Sequence, residues 1–230
     1  MNMQRKIEGV KIPYRPMTEA ELSHAERLRA YGGSQREWEK GRITTRLIGE
    51  ASREKVDSAP LKAKWFCLQL DQRREFAVEK ALIEKNIEAF MPRETWVLVR
   101  HGRKIETVLP YFPGYMLVRI VPKVEAFAGL LRVKHVRDIV GGAHGYHVVH
   151  EGDVEMFKRI CTKVDVPRVA TDKTMCDGDR ADITDGPFAG FMCLVMSVTW
   201  SREARAKVAI NVQGKVFEIE SMPLAFLKKL

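Results

Sequence analysis

The apolar positions fall into stretches of different texture. From Trp65 to Leu70 they form a short, aromatic-rich run that predicts a buried strand, and from about Arg73 to Asn86 they recur as Phe76, Ala77, Ala81 and Ile83, which predicts a helix. Ile87 to Pro92 continues the chain, and Thr95 to Arg100 and Ile105 to Leu109 then flank His101 to Lys104. Gly102 permits a tight reversal there, so the pair reads as a hairpin with a basic tip. Gly114 to Val121 predicts a strand and Pro122 opens a short helix to about Leu131. Val136 to Val140 is a further strand closed by Gly141 and Gly142, and Glu151 to Val164 is a last helix. Beyond it, Arg180 to Thr184, Phe191 to Trp200, Ala206 to Val212 and Lys215 to Glu220 are short strands between glycine-bearing and charged turns, the spacing of a small β-barrel.

The first 60 residues are more polar. Thr18 to Glu21 and Ser34 to Glu37 each read as a capping box, so two short helices are expected. One carries Leu22, Ala25 and Leu28 and breaks at Gly32 and Gly33; the other carries Trp38, Leu47 and Ile48 and is weakened by Gly41. Ser52 to Pro60 lacks periodicity and reads as a linker, as does the proline-bearing stretch 166 to 174. The domains expected are an extension over 1–60, a mixed domain over 61–165, the linker 166–174 and a strand-rich domain over 175–230. The fold class is α+β: an α/β sandwich followed by an SH3-like barrel, with a helical N-terminal extension.

Composition narrows the function classes. The formal charge is +9, and residues 61 to 166 hold the largest excess, 18 basic against 13 acidic side chains, which favours a polyanionic neighbour. No apolar run approaches the roughly 18 residues of a membrane span, and Met1 to Lys11 has no apolar secretory core, so a cytoplasmic protein without a membrane partner is expected. The four cysteines, Cys67, Cys161, Cys176 and Cys193, are scattered without a Cys-x-x-Cys pair and read as reduced, buried thiols. His144, His147 and His150 are spaced by three, which in a strand sends successive imidazoles to alternate faces, and Gly141, Gly142 and Gly145 oppose a helix. A loop is favoured over a metal site. With no phosphate-binding loop and no nucleophile elbow, neither an enzyme nor a cofactor is expected.

Two motifs follow one another in order. Tyr111-Phe112-Pro113-Gly114-Tyr115-Met116-Leu117-Val118 comes first, and Gly178-Asp179 leading to Asp185-Gly186-Pro187-Phe188-Ala189-Gly190-Phe191 comes second. Over residues 63 to 230 this order resembles the NusG family, whose amino-terminal (NGN) domain carries the first motif and whose KOW domain carries the second. The resemblance implies a non-catalytic factor that binds RNA polymerase and modulates pausing, antitermination or termination. It assigns Trp65, Phe66, Phe112, Pro113 and Tyr115 to the clamp helices of the polymerase β′ subunit, Phe112 and Tyr115 being the firmer assignments. The family's contact to the β gate loop uses a polar His-Thr-Thr stretch in the RfaH paralogue, and Ala126-Phe127-Ala128 stands there here.

Arg73, Arg74, Arg100, His101, Arg103 and Lys104 are flexible cations at a helix start and a hairpin tip, suited to upstream or non-template DNA. The resemblance also implies that the second domain binds the termination factor Rho or a small-subunit ribosomal protein, with Phe188 expected as an exposed contact and Phe191 as a weaker candidate. A specialised RfaH-like antiterminator and a KOW-type RNA- or ribosome-binding protein are the alternatives.

Overall fold

The computed structural model describes residues 23–100, 103–142, 144–161, 174–200 and 204–230. The chain divides into two compact units, Met1–Ile43 and Thr44–Leu230. The first is described by helix α1, which spans His24–Gly49 and carries its last turn into the second unit. This differs from the expected helix pair: α1 runs unbroken through Gly32, Gly33 and Gly41, and Ser34 lies inside it rather than capping a start. A glycine inside a helix costs only about 1 kcal/mol, which the arginine, leucine, glutamate and lysine around these three can offset. The box at Thr18 to Glu21 lies outside the described residues. Within the first unit Arg42 lies over the exposed Trp38 ring, 4.9 Å from its centre.

The second unit begins with α1's last turn, where Ile48 is buried. Where the sequence suggested a linker, α2 (Arg53–Ser58) and a 3-10 turn (Pro60–Lys62) form instead, and the burial of Val56 explains why this polar stretch is ordered. There follow β1 (Lys64–Leu70), α3 (Glu75–Glu84), β2 (Glu88–Phe90), β3 (Arg93–Arg100), β4 (Arg103–Pro110), β5 (Tyr115–Ile120), α4 (Val124–Leu130) and β6 (Val136–Ile139). Short strands β7 (Gly141–Gly142), β8 (Gly145–Tyr146) and β9 (Val148–Val149) lead to α5 (Glu151–Cys161). Helix α3 turns differently from expectation: Val78 and Leu82 are buried, whereas Phe76 and Ile83 are exposed.

The central sheet runs β2-β5-β1-β6, with β9 also pairing β1. Its inner strands alternate between two buried faces. Phe66, Leu68 and Leu70 of β1 and Met116, Val118 and Ile120 of β5 pack with Ile48, Val78, Leu82, Ala126 and Leu130 under the helices. Full burial of one such side chain is worth roughly 1.5–3 kcal/mol. Gly129 is required there, because a Cβ on it would lie 2.6 Å from the backbone of Leu47.

The hairpin β3–β4 pairs from Arg93↔Pro110 out to Arg100↔Arg103 and forms its own two-stranded sheet. The last segment contributes β10 (Arg180–Ile183), β11 (Met192–Thr199), β12 (Arg205–Val212), β13 (Lys215–Pro223), a 3-10 turn (Leu224–Phe226) and β14 (Leu227–Lys229). They form a five-stranded antiparallel sheet in the order β13-β12-β11-β10-β14, whose alternate residues Cys193, Val195, Val208, Ile210, Phe217 and Ile219 are buried. The sequence missed β14, whose lysine pair masks it. The expected linker 166–174 lies, apart from Thr174, outside the described residues.

Candidate functional site

The site grows from the turn between β4 and β5. Gly114 sits at φ +82, a backbone conformation that favours glycine. Its amide donates to Oε1 of Glu75 at 2.8 Å, and Glu75 is itself buried at the start of α3. A buried carboxylate costs free energy unless hydrogen bonds satisfy it, so this contact ties the turn to α3. The turn carries Tyr111, Phe112 and Tyr115, whose rings meet those of Phe157 on α5 and Phe188 edge-on: Phe112 to Phe157 at 5.3 Å, Phe112 to Phe188 at 5.9 Å and Tyr115 to Phe188 at 5.1 Å between ring centres. Phe157 also meets Phe226 at 5.8 Å. Trp65, Cys67, Phe112, Tyr115 and Leu117 therefore share one core with Phe188, Phe217 and Phe226 of the C-terminal sheet.

Polar contacts frame this apolar junction. The hydroxyl of Tyr115 donates to the carbonyl of Glu218 at 2.8 Å, and burial pushes that phenol well above its ordinary range. Arg205 of β12 donates to Glu94 at 2.5 Å, to the carbonyl of Tyr111 at 3.3 Å and to the hydroxyl of Ser221 at 3.1 Å, with its guanidinium 4.8 Å from the centre of the Tyr111 ring. Lys215 reaches Asp138 at 2.7 Å, and the His144 amide donates to Gln213 at 3.0 Å. His147 packs against Phe191 at 4.6 Å and bonds the Pro187 carbonyl; burial first, and then the neighbouring His150, hold its pKa below the usual histidine value.

Several expected roles change. Phe188 is not the exposed contact: it is fully buried, because it fills the space between Phe112 and Tyr115, whereas Phe191 is only half-buried. Phe112 and Tyr115 are likewise covered, and Pro113 is half-exposed. Phe66 does not join them. The strand alternation sends it to the helix-covered face, where it meets Phe127 edge-on at 5.0 Å. Ala126 is buried, so the Ala126-Phe127-Ala128 segment serves packing.

Arg73 and Arg74 are exposed, and Arg73 lines a cleft of about 830 Å³ with Leu109, Pro110 and Arg205. Arg103 and Lys104 are exposed at the other end of the hairpin, about 20–25 Å of strand away. Arg73 and Arg74 thus stand apart from Arg103 and Lys104. Arg100 ends β3 and His101 lies outside the described residues.

Two of the four thiols, Cys67 and Cys193, are buried as expected, but Cys161 is half-buried and Cys176 exposed. Among the described residues no group of histidine, cysteine and carboxylate side chains is arranged to hold a metal, and no helix is long and apolar enough to cross a membrane. Sequence reasoning missed Glu75, Phe157 and Arg205. Only Phe157 had a signal, its place with Val154 on the apolar stripe of α5.

The model of the family described as "Transcription termination factor nusG" matches residues 63–158. The transcription termination/antitermination protein NusG of Escherichia coli K12 is 27% identical over 177 residues, covering 72% of this chain and 95% of that protein. NusG of Vibrio cholerae is 27% identical over 178 residues, covering 72% and 94%. A solved structure described as "Domain interaction in Thermotoga maritima NusG" aligns over 74% of this chain and 98% of that one, at 20% identity and a TM-score of 0.37. The aromatic turn, the strands of the central sheet and helices α3 and α4 all lie within residues 63–158, the segment of this chain that is similar to the NusG family.

Proposed function

We propose that this protein acts in transcription termination or antitermination by binding RNA polymerase, and that its polymerase-binding surface is the aromatic turn Phe112, Pro113 and Tyr115 with Trp65 beside it. NusG-family proteins are non-enzymatic transcription factors. The observation that carries the reading is the covered turn itself: a rigid aromatic segment, pinned by Glu75, over which the C-terminal sheet lies through Phe188. Aromatic side chains held in this way offer large contact area at little entropic cost, as the end of a helical hairpin on the polymerase requires. Engagement then calls for the sheet to lift, so the bound population is set by the balance between closed and open forms.

In the open form the C-terminal sheet, with Phe188 and Phe191 uncovered, is the element that recruits a second partner, Rho or a small-subunit ribosomal protein. Arg103 and Lys104, with Arg100 and His101, are the residues for upstream or non-template DNA. Their contacts are to phosphate and therefore salt-dependent.

The test is binding of the full chain to reconstituted elongation complexes on unrelated DNA templates. Tight binding that Phe112→Ala with Tyr115→Ala abolishes, and that Arg205→Ala strengthens by loosening the sheet, is the expected result. Binding on one template alone would make the protein a specialised antiterminator of the RfaH kind. No binding to any complex, with RNA binding retained, would replace this reading with that of an RNA- or ribosome-binding protein.

A further inference from the structure

Closure of the C-terminal sheet onto the sandwich covers Phe188 and half of Phe191, yet one face of that sheet stays open. On β11, Cys193 and Val195 point inward, and Met192, Leu194 and Met196 point out with 55%, 46% and 44% of their surface exposed. The outer face of an antiparallel sheet in contact with water ordinarily alternates to polar residues. Three large apolar side chains in succession on that face therefore mark a contact surface. Two of them are methionines, whose unbranched, polarizable side chains fit partners of irregular shape.

The surroundings select the partner. Strand β11 is the central strand of five, so its backbone is already paired on both sides by β10 and β12 and no further strand can be added. Leu194 stands opposite Arg180 on one side and Ala209 on the other, which leaves a shallow floor beside the ridge. Three side chains about half exposed make a patch of roughly 300 Å². This is short of the roughly 800 Å² that each partner gives to a standard interface, so it suits one helix better than a second copy of the chain.

The charges at its border are uneven. Arg180 lies beside Leu194, and Lys228 lies across Asp182, which is half-buried and opposite Met192. Neither Arg180 nor Lys228 is in an ion pair among the described residues, while on the far side Lys207 is shared between Glu218 at 2.9 Å and Glu220 at 3.0 Å, so that the β10 edge is the more positive one. We infer that Met192, Leu194 and Met196 form a docking face for an amphipathic helix of a partner protein, one carrying leucine-like side chains along one stripe and acidic residues along its edge. This inference concerns a surface separate from the aromatic turn and does not depend on polymerase binding.

The experiment uses the full ¹⁵N-labelled chain and two helical peptides of about five turns. Their leucine stripes are identical; one carries glutamates on its polar face and the other lysines. The expected result is that the glutamate peptide shifts the amides of residues 192–196 and their β10 and β12 partners, and binds at least about tenfold more tightly than the lysine peptide. Met192→Gln with Met196→Gln should weaken it about tenfold. Arg180→Glu with Lys228→Glu, which changes only exposed side chains and leaves the apolar ridge intact, should reverse the preference between the two peptides. Equal binding of both peptides, shifts confined to other surfaces, or an unchanged preference in the charge-reversed variant would each overturn the proposal. So would a concentration-dependent dimer that the methionine substitutions abolish, since the face would then belong to a second copy.

Discussion

Strand β1 sends Phe66, Leu68 and Leu70 to one side of the central sheet and Trp65 and Cys67 to the other, and the two sides are closed by different means. On the first, helices α3 and α4 and the end of α1 supply the cover; they lie in the same sandwich, joined to it by short connections. On the second, α5 covers part, and the remainder is closed by the C-terminal sheet, more than 60 residues further along the chain from Phe112 to Phe188. A face covered by its own local elements is part of the fold. A face covered by a distant segment, held by ring contacts to Phe188 and Phe226 and by a few polar bonds, can exchange that cover for another protein.

Five substitutions or conditions break or sharpen this contrast. Phe157→Ala removes the ring that Phe112, Tyr111 and Phe226 share, and should cost about 3–5 kcal/mol, seen as a lower urea midpoint. Arg205→Ala leaves Glu94 without its guanidinium at the junction and should cost about 3 kcal/mol of closure. Amide exchange should rise at Tyr115 and Glu218 while the amides of Leu68 and Val118 stay protected. Gly129→Ala tests the opposite face: its Cβ meets the Leu47 backbone, and a loss of about 2 kcal/mol should appear in urea unfolding without looser packing around Phe188.

Tyr115→Phe removes the bond to the Glu218 carbonyl and should cost about 1 kcal/mol, measured by the same exchange experiment. The smallest effect is that of pH. Burial lowers the pKa of His147, so an exposed histidine protonates first as the solution is acidified. The contribution of His147 is complete above the unfolded value of about 6.5 and is lost as pH falls through the lower folded one. The Phe191 amide resonance should therefore broaden as the pH falls below about 6.5, and His147→Gln should flatten that response.

Much of the fold was legible because its signals are local. The strands around Phe66, Met116 and Val208 and the hairpin closing between Arg100 and Arg103 follow from short apolar runs and turn residues alone. Helix α1 was misread because glycine penalties are small beside what a long run of helix-forming neighbours supplies. The stretch from Arg53 to Ser58 was misread because one buried side chain, Val56, orders it, and a single position has no period. The aromatic residues of the site stood out by type and motif, but which of them are covered depends on a contact between segments far apart in sequence. Glu75 and Arg205 gave no signal, since a charged residue in a sequence looks the same whether it meets water or a buried partner.

The placement of the thiols gives the molecule its own clock. Cys67 lies on the face of β1 beneath the C-terminal sheet, and burial pushes its pKa far above the ordinary thiol range. Cys193 lies inside that sheet, and burial pushes it up to about 11. A thiol-reactive reagent attacks the thiolate and needs access. With the more accessible Cys161 and Cys176 replaced by serine, labelling at Cys67 would time the lifting of the sheet, and labelling at Cys193 would time its unfolding. Two chemical rates, read by mass from one sample, would thus separate a movement of the intact sheet from the loss of its structure.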